Sequence, residues 1–247
     1  MGKTADRNRW DIMEVINIVM PVYNEGENIK NTFSEIKNKI RTPFRIFIVY
    51  DFDEDNTLPA AKAIQNEYNV HFLKNKYGKG VLNAIKTGLE GVDEGAILVS
   101  MADLSDDYSV VDGMFEKIKA GYDVVCGSRY MKGGKQLGGP KFKGSLSRMA
   151  GMSLHYLTGI PTHDISNSFK MYTPRVIKSI QIESNGGFEL GMEIVVKAFL
   201  AGFKITEVPS VWRDRNAGQS RFKLWEWLPH YLRWYFFALG CKGKISR

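Results

Sequence analysis

Asp103, Ser105, Asp106 and Asp107 place oxygen-bearing side chains within one short stretch of the chain. Such a cluster suits a hard divalent cation, Mg²⁺ or Mn²⁺, which prefers oxygen ligands and is commonly held by one or two protein groups plus phosphate oxygens. The same residues serve equally well as a helix N-cap, with Ser105 or Asp107 preceding Tyr108–Val111 and no metal involved. Both readings stay open on this segment alone. Elsewhere the chain carries groups that answer a diphosphate. Arg129, Arg148 and Arg215 can grip phosphate in bidentate fashion, and Lys79 acts as a point charge. Gly78 and Gly80 flank that lysine and let the backbone approach a ligand closely.

Other chemistries lack their residues. The pattern GxxxxGK[ST] is absent and no GxGxxG follows the first predicted strand, which argues against an NTPase and a classical dinucleotide enzyme. His71, His155, His163 and His230 show no paired spacing for zinc. There is no GxSxG elbow, and neither Cys126 nor Cys241 has a catalytic setting. His163 and Asp164 would form an acid/base pair, but adjacent residues usually point apart, which favours a structural role.

The elements that must position these groups follow from periodicity. Val15–Met20, Phe44–Tyr50, Val70–Leu73, Ala96–Ser100 and Asp123–Gly127 read as buried-type strands. Helical patterns separate them over Glu27–Ile40, Leu58–Tyr68, Gly80–Glu90 and Ser109–Ala120. This alternation is the signature of a doubly wound α/β sheet, whose ligands bind beyond the carboxyl ends of the strands. The polar motifs fall there repeatedly: Tyr23–Glu25, Asp51–Asp55, Gly78–Gly80 and Asp103–Asp107. After residue 128 the alternation weakens into a Gly/Lys loop, a helix near Ser145–Leu157, a strand around Phe169–Tyr172 and a helix over Phe188–Ala201. No linker or internal repeat interrupts the chain.

The 247 residues carry a formal charge of +7, with 44% hydrophobic and 25% charged residues, which excludes a disordered, collagen-like or disulfide-scaffold chain. The charge is localised. Arg129, Lys132, Lys135, Lys141, Lys143 and Arg148 lie in a stretch without an acid. Arg221, Lys223, Arg233, Lys242, Lys244 and Arg247 face only Glu226. Nucleic-acid binders more often spread basic residues over a whole face or tail, so no nucleic-acid partner is expected. The two cysteines read as free thiols of a reducing compartment. The N-terminal residues match neither a signal peptide nor a myristoylation site, and no apolar run is long enough to span a bilayer. Leu224, Leu228, Tyr231, Leu232, Tyr235 and Leu239 form an apolar stripe. Trp227, Trp234 and Phe237 fall off it among basic residues, as in an interfacial membrane helix, with Pro229 starting a second segment. Burial of this tail against the body or a homodimer partner is the competing reading.

The segments IVMPVYNEGENI, VYDFDEDNT, MADLS, GSRYMKGG, HDISNSFKMY and WRDRNAGQSRFK occur in that order over residues 17–223. Together they resemble the inverting family 2 glycosyltransferases of GT-A fold, closest to the polyprenyl- or dolichyl-phosphate mannose synthase type. The resemblance implies an α/β, Rossmann-like nucleotide-diphospho-sugar transferase domain over 1–221. It also implies a mostly parallel central sheet, C-terminal amphipathic helices and a basic aromatic interfacial tail over 222–247. Pro21, Tyr23 and Glu25 match the segment lining the nucleotide pocket. Asp51 and Asp55 match acids of the base- and ribose-binding stretch, and Lys79 joins this donor set. Asp103 matches the last acid of the DxD metal motif, with Ser105 at the next ligand position, implying an Mg or Mn cofactor. Arg129 and Arg148 match arginines assigned to acceptor phosphate. Arg215 and Ser220 match the loop that closes on the donor diphosphate, and Glu193 matches an acid facing the acceptor side.

The sequence departs from the pattern at Met101 and Tyr50, where acids are usual, and at 167–170, where NSFK replaces SGFR. The implied reaction is a single displacement from a GDP- or UDP-linked sugar, with the metal and Arg215 stabilising the leaving diphosphate. A polyprenyl phosphate or other lipid acceptor is already anionic and needs no strong base. A sugar hydroxyl would need one, and Asp164 or Glu193 would be the first suspects. The implied setting is the membrane surface at its cytoplasmic face, with a homodimer or a membrane-protein partner. Two other readings compete: transfer to a lipid-linked saccharide or cell-surface polysaccharide, and a non-catalytic nucleotide-sugar or lipid binder.

Overall fold

The computed structural model describes residues 14–214 and 224–241. In chain order it contains β1 (Ile16–Pro21), α1 (Asn28–Lys39), β2 (Phe44–Tyr50), α2 (Thr57–Lys62), α3 (Gln65–Tyr68), β3 (Val70–Lys74) and α4 (Val81–Glu90). There follow β4 (Ala96–Val99), a 3₁₀ turn over Tyr108–Val110, α5 (Val111–Lys119), β5 (Val124–Ser128), β6 (Lys135–Leu137) and α6 (Lys141–Thr158). The chain continues through β7 (Lys170–Tyr172), α7 (Pro174–Ser179), α8 (Leu190–Leu200), β8 (Ile205–Pro209), β9 (Val211–Arg213) and α9 (Leu224–Gly240).

A seven-stranded sheet forms the centre, in the order β3-β2-β1-β4-β7-β5-β8. Its pairings are parallel except for β7, which runs antiparallel between β4 and β5. Side chains of a strand alternate between faces, so a strand covered on both sides must be apolar throughout. β1 follows this rule except at one position: Ile16, Ile18 and Met20 enter one core and Val19 the other, while buried Asn17 is accommodated by donating Nδ2 to the Glu94 carbonyl at 2.8 Å. The first core is closed by Ile29, Phe33 and Ile36 of α1 and by Met114, Phe115 and Ile118 of α5. The second is closed by α4, α8 and α9. Burial of each such large apolar side chain stabilises the fold by about 1.5–3 kcal/mol.

Strand order reverses direction between β1 and β4, because β1 pairs with β2 on one side and β4 on the other. The loops leaving β1, β2 and β4 therefore open at one crevice, the topological switch point where doubly wound sheets bind ligands. The expected alternation through five strands is present. Three edge features lay outside the expectation: β6 and β9, which pair in a small parallel ribbon, and β8. The helix expected over Leu58–Tyr68 is divided into α2 and α3, and Asn69 ends it in the left-handed region at φ 51°.

The C-terminal segment corrects a detail of the sequence reading. α9 is one helix with Pro229 inside it, not two segments divided there. Proline removes one helical hydrogen bond, but packing beyond it carries the helix on. Trp234, placed off the apolar stripe, is buried in the core with Ala238, and its indole Nε1 donates to Ser184 Oγ at 2.9 Å. That bond satisfies the ring's polar handle and lets the rest pack. Phe236 and Phe237 face outward instead, and Leu232 is exposed on the lining of a cleft.

Candidate active site

The loop after β1 is shaped by a buried carboxylate. Asp55 accepts from the Asn24 backbone N–H with both oxygens (3.1 and 3.0 Å) and from that of Thr57 at 2.8 Å. The Glu25 N–H donates to Thr57 Oγ1 at 2.9 Å, and Asn24 sits at φ 55°. Asp55 thus positions the Tyr23–Glu25 turn rather than offering an open carboxylate. Pro21 ends β1 and is buried. Asp51 directly follows β2 and holds the 75–80 loop, accepting from Asn75 Nδ2 at 2.7 Å and from the Gly80 N–H at 2.9 Å. Gly80 stands at φ 128°, a conformation that only glycine adopts without strain. Tyr23 meets Phe52 edge-on with centroids 5.5 Å apart, and Lys79 Nζ lies 5.4 Å from the Phe52 ring centre. This rim presents aromatic faces and a cation, which suit a base and a phosphate.

At the end of β4, Asp106 is buried and accepts from Ser100 Oγ at 3.0 Å and the Met101 N–H at 2.9 Å. Burial pushes its carboxyl up to about 7, with the charge of Asp103 adding to the rise against these bonds. Tyr108 closes the group, with its hydroxyl 2.9 Å from Ser100 Oγ. Asp106 and Tyr108 are thus the frame of the loop. Asp103 and Ser105 line a cleft of about 730 Å³, together with Met101. Asp103 Oδ1 accepts from the Ser105 N–H at 3.1 Å, and Leu104 between them stands at φ 61°. Asp107 does cap the 3₁₀ turn through the Ser109 N–H at 3.2 Å, so the capping and ligand readings apply to different residues. The ribbon strand β9 is tied to the same loop: Arg213 N–H donates to the Ser105 carbonyl at 3.0 Å and Val211 N–H to Asp107 at 3.2 Å.

Among the described residues no group of three His, Cys, Asp or Glu side chains can hold a metal. A carboxylate and a hydroxyl on a cleft wall still fit Mg²⁺ or Mn²⁺ in the manner of nucleotide sites, where diphosphate and water complete the shell. Asp103 and Ser105 are the residues that would hold it.

Another part of the cleft wall is built on an ion pair. Arg129 donates through Nε and Nη2 to the two oxygens of Asp164 at 2.6 and 2.8 Å, and its backbone N–H adds a bond at 3.0 Å. Asp164 is fully buried. Burial would raise its carboxyl, but the charge and bonds of Arg129 outweigh burial and hold it below the usual carboxylate range. Burial likewise disfavours the Arg129 cation, and Asp164 more than compensates, holding the guanidinium above its ordinary value. Arg129 Nη2 also reaches Ser147 and Ser166 at 3.1 and 3.3 Å, and Ser147 bonds Tyr130 at 3.0 Å.

The structure brings Asp103, Ser105 and Arg129 together in the cleft. It places Arg148 on the exposed side of α6, away from the lining. Glu193 is buried on α8, where it accepts from the backbone of Glu183 and Ser184 (2.6 and 2.8 Å) and from Lys197 Nζ at 2.7 Å. Neither Asp164 nor Glu193 lines the cleft. Arg215 and Ser220 lie outside the described residues. Lys143, Ser147, Ser166 and Tyr231 also line the cleft; the sequence marked Lys143 only as part of a basic stretch and Tyr231 only as part of an apolar stripe, and none of the four as a site residue. Lys143, Ser147 and Ala150 share one helical face at spacings of four and three, a signal that was available once α6 was expected. Met149 and Ala150 of α6 and Leu228 and Leu232 of α9 also line the cleft.

Comparison with known proteins follows from this geometry. The sequence profile of glycosyl transferase family 2 matches residues 17–181. The chain is 29% identical to a dolichol-phosphate mannosyltransferase of Pyrococcus furiosus over 237 residues, covering 94% of this chain and 66% of that relative. The chain thus spans about two thirds of that relative's length. It is 27% identical to a polyprenol monophosphomannose synthase of Mycolicibacterium smegmatis, covering 93% of this chain and 88% of the relative. Among solved structures it is similar to glucosyl-3-phosphoglycerate synthase of Mycobacterium tuberculosis in complex with Mn²⁺, UDP and glucosyl-3-phosphoglycerate. There the TM-score is 0.67 at 14% identity, over 97% of this chain and 85% of that one. It is also similar to S. aureus TarS in complex with UDP-GlcNAc, with a TM-score of 0.65 at 16% identity, over 95% and 71% of the two chains. These likenesses establish a GT-A-like fold.

Proposed function

Because this chain belongs to glycosyl transferase family 2, we propose that it moves a hexose from a nucleotide-diphosphate sugar to a membrane lipid phosphate, a polyprenyl phosphate. The observation that carries the acceptor class is the cleft itself. Its lining combines Arg129, Lys143 and Ser147 with apolar side chains of two helices, among them Met149, Leu228 and Leu232. An ionised headgroup on a hydrocarbon chain combines the same two kinds of group. Two relatives with 27–29% identity carry dolichol-phosphate and polyprenol names, in keeping with this class.

The donor would lie across the carboxyl ends of β1 and β2, against Tyr23, Phe52 and Lys79, with its base of the GDP or UDP type. Asp51 and Asp55 would act by holding the loops that contact it. Asp103 and Ser105 would hold an Mg or Mn ion against the diphosphate, and that ion would offset the charge developing on the leaving group. Arg215, in the segment after β9, would add positive charge there, and Ser220 a hydroxyl. Arg129 and Lys143 would aim the acceptor phosphate at the anomeric carbon. Asp164 and Glu193 are each engaged in several bonds and stand outside the cleft, which disfavours an acceptor hydroxyl that requires either as base. Arg148 is better placed for the membrane than for the phosphate.

The membrane setting is the cytoplasmic face. No described helix is long and apolar enough to cross a bilayer. Phe142, Met149, Leu232 and Phe236 are exposed on α6 and α9 beside Lys141, Arg148 and Arg233, a composition suited to an anionic interface. The test is incubation with radiolabelled nucleotide sugars, Mg²⁺ or Mn²⁺ and polyprenyl phosphate. Transfer abolished by Asp103→Ala supports the reading, and donor binding without transfer to any acceptor refutes it in favour of a non-catalytic binder.

A further inference from the structure

The strip from Thr162 to Lys170 forms one wall of the cleft, presenting Ile165, Ser166, Asn167 and Ser168 to it. It is clamped from behind on several sides. Glu207 of β8 accepts from Thr162 Oγ1 at 3.0 Å and from the His163 N–H at 2.8 Å. Asn167 Nδ2 donates to the Gly127 carbonyl of β5 at 2.8 Å. α6 presses so close that a Cβ at Gly151 would lie 2.2 Å from the His163 carbonyl oxygen.

At the centre of this clamp is a charge for which no part of the proposed reaction accounts. Lys170 is fully buried in β7, and its ammonium donates to the carbonyls of Ile165, at 3.1 Å, and Asn167. Both acceptors belong to the single bend that carries Ser166. A buried ammonium is costly, and a well-packed apolar side chain of similar volume often serves stability as well or better. The charge therefore calls for a role in geometry. The two bonds draw the bend inward, and the same bend carries Asp164, which fixes Arg129, and Ser166, which bonds that guanidinium.

We infer that Lys170 is a positioning residue for the acceptor end of the cleft, holding the 164–168 bend so that Arg129 and Ser166 are aimed at the acceptor phosphate. The inference rests on the acceptor reading above, and two readouts separate them. In the full chain, Lys170→Met removes the donors at similar length, while Lys170→Gln keeps two amide N–H donors. The Met variant is expected to raise KM for a short-chain prenyl phosphate about tenfold or more and leave the donor KM within about twofold. The Gln variant should recover part of that loss. Amide hydrogen exchange should quicken over 162–168 in the Met variant while β1 and β4 keep their protection. An unchanged acceptor KM, or equal losses for both substrates, overturns the inference. If the native chain transfers to no prenyl phosphate, the acceptor reading fails and exchange decides alone. Faster exchange confined to 162–168 then supports the positioning role, and exchange that is unchanged, or faster throughout, overturns it.

Discussion

Arg129 and Asp164 illustrate how burial changes what a residue can do. Read from sequence, Arg129 is a phosphate ligand and Asp164 a base. In the fold they form a bidentate pair with Asp164 fully buried, so the carboxylate serves the guanidinium. Asp164→Asn leaves that cation uncompensated and is expected to cost about 3–5 kcal/mol in denaturant unfolding. Removing both partners should cost less than the sum of the single changes. The pH sign follows from the depressed carboxyl. Its contribution is full above the ordinary carboxylate value, near about 4, and is lost as pH falls through the lower folded value. The native chain should therefore lose stability more steeply below about pH 4 than the Asn variant. Asp103→Ala should lower kcat by about 10²–10³-fold, as loss of charge stabilisation does, while leaving the melting temperature near native. That Asp103, Ser105 and Arg129 share one cleft was legible because each follows the carboxyl end of a strand. The engagement of Asp164 and Glu193 was not, because their partners are 35 and 10 residues away in the chain.

At the scale of elements, the proposed acceptor site lies between α6 and α9. α6 turns Lys143 and Ser147 to the cleft and Phe142 and Arg148 outward, while Met149 is exposed on the cleft lining. Lys143→Gln should raise the KM for polyprenyl phosphate about tenfold, the loss of one charge-assisted contact, with the donor KM unchanged in steady-state kinetics. Leu232→Ser combined with Phe236→Ser should weaken flotation with anionic liposomes without lowering the melting temperature, since both side chains are exposed. Deleting the whole tail would be a poor probe, because Trp234 and Ala238 belong to the core. The alternation of β1–β5 with helices was readable because each central strand is apolar on both faces. The ribbon β6–β9 was not, since strands of three residues carry too few alternations to register. The packing face of α9 was misjudged at Trp234, where an aromatic among basic residues reads as interfacial until its Ser184 partner is known.

On the scale of the whole molecule, the uneven charge takes on a direction. The basic stretch from Arg129 to Arg148 contributes both to the inside of the cleft, through Arg129 and Lys143, and to the outside of α6, through Lys141 and Arg148. The acidic loop at Asp103 lines the same cleft. One cavity is thus lined by the Asp103 loop, by Arg129 and Lys143, and by apolar side chains of α6 and α9, the combination on which the proposed pairing of a donor diphosphate with a lipid phosphate rests. The measurement that tests this most directly is transfer of labelled sugar from GDP- and UDP-linked donors to polyprenyl phosphate, with Mg²⁺ or Mn²⁺ present or chelated. The account predicts a lipid-extractable product that disappears on chelation and in Asp103→Ala. A chain that binds these donors yet labels no lipid phosphate would contradict it.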